Sequence, residues 1–250
     1  MNSLFGTKHL ILIGISIVLI VLFYYLSRKL KHNQVCRTLF YVGIVSEIIK
    51  IFYYTIANEA THGGILPKTD LPFHLCSIQI IFITIINFVN SEKIKRFIYS
   101  FMLPSCLFGG IAAILIATDS SRNGNFIITL QYFLYHIALV VFSLHLFTTK
   151  EFKFDIKDYF NCFKFLLIIM FFAFYINSIV YDGSNSINFM YVASPPQEGL
   201  PYLNEDSGWF VYILRYALLI VVCVTGCYIK PIVECIKNLK KKEVKETIVE

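Results

Sequence analysis

Two side chains in separate apolar stretches, Cys76 and His136, have the types needed for covalent chemistry, since a thiol deprotonated by an imidazole is a strong nucleophile. Cys76 lies in the run Leu71-Pro72-Phe73-His74-Leu75-Cys76-Ser77. Pro72 suits the first turn of a helix, where its missing N–H is not needed, so Cys76 is expected in the second turn. A helix N-terminus favours the thiolate, but only modestly at that distance, and a base is still required. His74, two residues away, cannot face Cys76 on a regular helix. His136 is the better candidate base. Around these two are Glu47 and Lys50, three apart and able to pair; Gln79, three after Cys76; Gln131; Asp119; Asn177; and Arg215.

These residues are carried by helices. The chain is 57% hydrophobic and 15% charged over 250 residues, a balance that suits a surface facing lipid rather than water. Crossing the hydrocarbon takes about 20 apolar residues, and seven stretches meet that: 9–26, 38–58, 72–90, 97–117, 126–148, 164–181 and 209–229. The first continues from Phe23-Tyr24-Tyr25-Leu26 into Ser27-Arg28-Lys29 with no small-residue cleavage site, so it reads as a retained helix. Apart from 182–208, the connectors are short. The expectation is a single membrane domain over 1–250, with a charged cytoplasmic tail at 237–250 that stays solvated or grazes anionic headgroups. The fold class is all-α, a polytopic bundle of seven transmembrane helices.

Lysine and arginine set its orientation, because positive flanks stay in the cytoplasm. Alternate connectors hold Arg28, Lys29, Lys31 and Arg37, then Lys93, Lys95 and Arg96, then Lys150, Lys153 and Lys157, then the lysines from 230 to 245. The other set holds Lys8, Lys68 and Arg122. This predicts the N-terminus outside and the C-terminus in the cytoplasm. The net charge of +6 is therefore a topology signal and gives no reason to expect nucleic acid. Seven cysteines at 36, 76, 106, 162, 223, 227 and 235 form no CxxC pair, so neither a metal site nor a dithiol redox centre is expected. No cofactor is implied.

Ionisable and amide side chains inside a spanning helix usually face a bundle interior or a watery cavity. Counting about 1.5 Å of rise per residue sets Cys76 roughly 6 Å, Gln131 roughly 8 Å, Arg215 roughly 9 Å and His136 roughly 15 Å below the outer boundary. The pattern describes a polar cup opening outward. Cys76 and His136 then differ by about 9 Å in depth, against the reach of about 3 Å that a base requires, a gap that helix tilt and displaced helix ends must close. Each residue also has a plainer reading. Polar side chains glue helices together, Arg215 could snorkel from near a helix end, and His145 lacks a partner at matching depth.

The segments LPFHLCS, AILIATDS, QYFLYHIALVV and NFMYVASPP followed by GWFVY, over about residues 40–228, resemble the YwaF family of bacterial integral membrane proteins. That family is in turn similar to the transmembrane protein 164 family of acyltransferases, in which a cysteine carries a fatty acyl group between phospholipids. The resemblance implies that Cys76 bears the acyl group and His136 is the base, with His74, Asp119, Asn188 and Arg215 as supporting residues. Two departures stand out: Ala117-Thr118-Asp119 replaces Thr-Pro-Asp, and 193–208 is acidic and proline-rich where the family has a basic, apolar stretch. Both fall on the rim and bear on substrate choice.

Two functions fit these residues. One is a lipid acyltransferase or hydrolase in a bacterial cell membrane, with membrane phospholipid or lysophospholipid as its partner. Gln79 or His74 would then supply oxyanion donors. The other is a transporter or ligand-binding protein whose outward cup holds a small solute through Arg215, Glu47 and Lys50.

Overall fold

The computed structural model describes residues 4–57, 63–118, 121–122, 124–181, 183, 187–197, 200, 202–204 and 208–249, without the side chains of 241–249. Asp119 lies outside the described residues. Among them run eight α-helices of 14 residues or more: α1 Thr7–Ser27, α2 His32–Phe52, α3 Leu75–Phe88, α4 Glu92–Leu115, α5 Phe126–Thr148, α6 Ile156–Val180, α7 Trp209–Cys227 and α8 Ile229–Val249. The last turn of α2 widens into a π-helical turn, Tyr53–Ala57. The chain is all-helical, and each of the seven apolar stretches falls on a helix.

Five of these helices, α1, α4, α5, α6 and α7, are long and apolar enough to cross a membrane. Of the other three, α2 and α3 lie on apolar stretches but fall short of that measure for different reasons. α2 carries Arg37, Glu47 and Lys50. α3 has 14 residues, a rise of about 21 Å against about 30 Å of hydrocarbon. Several helices also start earlier than hydropathy suggests, because their first turns are polar. α6 begins at Ile156 because Asp155 caps it, accepting from Lys157 N (2.7 Å) and Asp158 N (3.3 Å). Arg96 of α4 then grips the fully buried Asp158 through Nε (2.8 Å) and Nη2 (2.6 Å) and reaches Asp155 at 3.0 Å.

α5 is the central helix, packed against α1, α2 and α4. Its closest approach is to α4 at Gly110, where an added Cβ would stand 2.7 Å from Val140 Cγ2 and 3.0 Å from the carbonyl oxygen of His136. A glycine here lets two backbones meet, as small residues do between membrane helices. Ser143 Oγ of α5 donates to the Leu103 carbonyl of α4 at 2.6 Å. The interior is aromatic and aliphatic, with Phe101 stacked on Phe165 at 4.6 Å. α1 is held by its buried His9, whose Nδ1 accepts from Phe5 N, so that Nε2 donates to the Ile114 carbonyl of α4 at 3.0 Å. Beyond the face that packs Leu12, Ile13, Leu19 and Ile20 on the bundle, Leu10, Ile11, Ile15, Val18 and Leu22 of α1 are exposed, as are Leu167, Ile168, Phe171, Tyr175 and Ile179 of α6. Apolar area on that scale needs lipid to cover it. At the end of the bundle away from the start of α3, the His145 ring is not isolated: it stacks on His32, centroids 5.6 Å apart and planes at 6°.

The connector between α6 and α7 folds back into the bundle. Phe189, Met190 and Val192 are buried, and both Met190 (φ 57) and Tyr191 (φ 53) have left-handed backbones. Such a conformation costs a residue with a Cβ about 1–2 kcal/mol, so it must be held by its surroundings. Asn177 of α6 donates to the Phe189 carbonyl (3.0 Å) and accepts from Phe189 N (2.8 Å). From α7, the hydroxyl of Tyr212 donates to the carbonyls of Tyr191 and Ser194, that of Tyr216 to Met190 O (3.0 Å), and the Trp209 indole to Val192 O (3.0 Å).

Candidate functional site

The helix that carries Cys76 starts later than Pro72 suggests. Phe73 N bonds to Leu71 O at 2.8 Å in a tight turn, His74 is the N-cap with an extended backbone (ψ 154), and the first helical residue is Leu75. Cys76 is thus in the first turn rather than the second. There the amides of Leu75, Cys76 and Ser77 precede the first intrahelical bond, Ile78 N to His74 O at 3.0 Å, and are left without helical acceptors. Cys76 is thus at the helix end whose first amides are open. The partial positive charge of those amides is therefore on the side of the helix end where the cysteine sits.

A cationic side chain, itself paired with a carboxylate, is also within electrostatic range. Lys50 of α2 acts electrostatically on both Cys76 and His74. Its Nζ is paired with the Glu47 carboxylate at 2.8–2.9 Å. That confirms the contact their spacing permits and brings the pair to the cysteine. The His74 ring lies 5.1 Å from Phe189 and 5.6 Å from Tyr191, under the folded-back connector.

His136 is buried in α5. Its Nδ1 lies 2.7 Å from the Tyr132 carbonyl, which can only accept, so Nδ1 carries the proton and Nε2 has a free lone pair. Nε2 is buried with no hydrogen-bond partner among the described residues. The ring is thus locked in the tautomer that can take a proton at Nε2. His136 does not hydrogen-bond to Cys76. Tyr132 and Tyr135 connect their surroundings: the Tyr132 ring is 4.2 Å from His136 and within electrostatic range of the Cys76 sulfur, while Tyr135 Oη donates to the Cys76 carbonyl at 2.7 Å. A nucleophile and base are often looser before substrate arrives.

The remaining expected residues are distributed differently. Gln79 is buried, with its amide donating to Leu75 O (3.0 Å) and Ser105 Oγ (3.1 Å) and its carbonyl accepting from Cys106 Sγ (3.5 Å). It is committed to joining α3 and α4. Gln131 donates to Ser46 Oγ, tying α5 to α2. Asn188 braces its own connector, donating to Ser194 O and Oγ and accepting from Ala193 N. Arg215 Nη1 donates to Asn204 Oδ1 at 2.6 Å, within the α6–α7 region. Among the described residues no group of three His, Cys, Asp or Glu could hold a metal ion.

Tyr191, Tyr132, Tyr135 and Ser77 are site neighbours that reading by residue type passed over. Tyrosines in a phenylalanine-rich run look like packing, yet Tyr132 sits one helical turn before His136, a spacing that puts the two on one face.

A model of the TMEM164 family matches residues 4–228. The chain belongs to the TMEM164 family. The match takes in all of α1 through α7 and ends at Tyr228, just before α8. Neither a curated protein nor a solved structure matches the chain. Family membership agrees with a membrane protein whose chemistry concerns lipid.

Proposed function

We propose that this protein is a membrane-embedded acyltransferase or hydrolase acting on phospholipid or lysophospholipid, with Cys76 as acyl carrier and His136 as base. In the proposed sequence His136 Nε2 takes the Cys76 proton, and the sulfur bonds to the carbonyl carbon of a lipid ester. The tetrahedral intermediate collapses, the ester C–O bond breaks, and the imidazolium returns its proton to the departing lysolipid oxygen. The thioester left on Cys76 is then attacked by the oxygen of a lysolipid hydroxyl or of water, whose proton passes to His136 and on to the released sulfur. What supports this reading is a first-turn cysteine within electrostatic range of Lys50 and, on the neighbouring α5, a buried histidine whose Nδ1 is tied to Tyr132 O.

The proposal includes seven spans with the N-terminus outside and the C-terminus in the cytoplasm. The YwaF motifs favour that subfamily and a bacterial cell membrane. The test is intact mass spectrometry of the protein purified with lipid. A hydroxylamine-sensitive acyl adduct is expected on the wild type and absent from Cys76→Ser, and His136→Ala should slow transfer about 10²–10⁴-fold. Undiminished transfer by both variants ends the scheme, and tolerance of Cys76→Ala would favour a carrier of small solutes instead.

A further inference from the structure

Five tyrosines surround the candidate site, and four of their hydroxyls are committed to backbone carbonyls: Tyr132 to Ala113 O, Tyr135 to Cys76 O, Tyr212 to Tyr191 O and Ser194 O, and Tyr216 to Met190 O. The fifth, Tyr191, makes no hydrogen bond through its hydroxyl to any of the described residues. Its ring packs 5.6 Å from His74. Its phenol is within electrostatic range of the Cys76 sulfur and of Tyr132. It is also one of two consecutive non-glycine residues held in the left-handed conformation, with φ 53 after Met190 at φ 57. The backbone there is fastened at every carbonyl from 190 to 192 by side chains of α7. Strain of this kind persists where the surrounding structure fixes one geometry, and it clusters at working sites. What the fastening fixes here is the placement of the Tyr191 ring beside His74, the N-cap of the helix that carries Cys76.

We infer that Tyr191 is a catalytic hydrogen-bond donor, its phenol meeting the oxyanion that forms on the acyl carbonyl when Cys76 attacks. This rests on the acyl-carrier reading above. The first-turn amides of α3 lie on the cysteine's own helix, and Tyr191 belongs to the connector folded over it. A carbonyl held at Cys76 would find donors from two elements, the preorganised arrangement that lowers barriers to acyl transfer. Gln79 cannot take this part without releasing Leu75 O and Ser105. The phenol proton is not transferred: it hydrogen-bonds to the oxygen while the C–O π electrons reside there and relaxes when they return to expel the leaving group.

The test uses the full chain in phosphatidylcholine vesicles with p-nitrophenyl palmitate, a probe that requires no knowledge of the natural lipid. Acylation of Cys76 releases nitrophenol in a burst and adds a palmitoyl mass removed by hydroxylamine. Tyr191→Phe deletes only the hydroxyl. Its burst rate constant should fall about 10²–10³-fold, the usual loss for one oxyanion donor, with half-saturating probe concentration and melting temperature unchanged. A burst at the wild-type rate would overturn the inference and leave Cys76 in its role. A slowed burst accompanied by a lower melting temperature and a raised half-saturation would also overturn it, marking Tyr191 as packing. A wild type with no burst, or Cys76→Ser bursting like the wild type, would remove the acyl-carrier reading and Tyr191's role with it.

Discussion

Pro104 stands in the middle of α4, where a proline removes the amide that would bond to the carbonyl four residues back. That carbonyl belongs to Ser100, and it is recovered by the hydroxyl of the fully buried Tyr228, which donates to it at 2.8 Å from just beyond α7. In a region without water a lone carbonyl is costly, so Tyr228→Phe should destabilise the protein by about 1–3 kcal/mol. Pro104→Ala restores an intrahelical donor. Made in that background, Tyr228→Phe should cost about 1 kcal/mol less than it does alone, a coupling read from the four melting curves of a double-mutant cycle. Strict additivity would show that Tyr228 acts through packing alone. A residue-level lesson in legibility follows from the same logic. That Cys76 and His136 are candidates could be read from their types, since a thiol with an imidazole base is the pair that covalent chemistry needs. The tautomer of His136 could not, because it depends on a carbonyl one turn away whose availability only the folded helix reveals. Nor could the open hydroxyl of Tyr191, which is defined by what its four neighbours do with theirs.

Helices are where sequence and structure agree most, and their ends are where they part. The apolar cores of α1, α4, α5, α6 and α7 are plain from hydropathy, but caps and polar first turns are invisible to it, so α6 starts at Ile156 rather than at 164. At α3 the error has chemical weight. Proline's preference for a first helical turn suggests a start at Pro72, whereas the turn closed by Phe73 N and Leu71 O delays the helix to Leu75 and moves Cys76 up to the N-terminal amides. The α4–α5 contact makes a second element-level prediction. At Gly110 a methyl group would press on Val140 Cγ2 at 2.7 Å and on the His136 carbonyl at 3.0 Å. Gly110→Ala should therefore push the two helices apart, at about 1–3 kcal/mol of stability, and slow acylation by displacing His136. Gly14→Ala is the control. Nothing lies within 4 Å of its added Cβ, and alanine's better helix propensity should leave the melting temperature equal or slightly higher.

For the whole molecule, the proposed seven spans require α2 and α3 to cross the membrane beside the five long apolar helices, and their packing is compatible with that proposal. Gly43 of α2 lets Ile80 of α3 come to 3.0 Å of its would-be Cβ, Gln131 ties α5 to Ser46 of α2, and Asn87 of α3 donates to the Cys36 carbonyl of α2 at 3.3 Å. The two charges on α2 that depress its hydropathy neutralise each other as the Glu47–Lys50 pair, which removes much of the penalty for placing them at depth. The short α3 gains length from the non-helical lead through Phe73 and His74, covered by Phe189 of the folded-back connector. Five spans and seven are both odd, so the positions of the two ends do not separate them. The connector between α2 and α3 does: after an outside N-terminus and one crossing by α1, it faces outward only if α2 crosses. Ile65, highly exposed in that connector, is the place to ask. With seven spans, Ile65→Cys on intact cells should react with a membrane-impermeant maleimide well above the background of the native cysteines, whereas labelling that appears only after the cells are opened would leave five spans and return α2 and α3 to the cytoplasmic side. That outcome would also put Cys76 at the inner face, where an acyl group would be exchanged with the opposite leaflet.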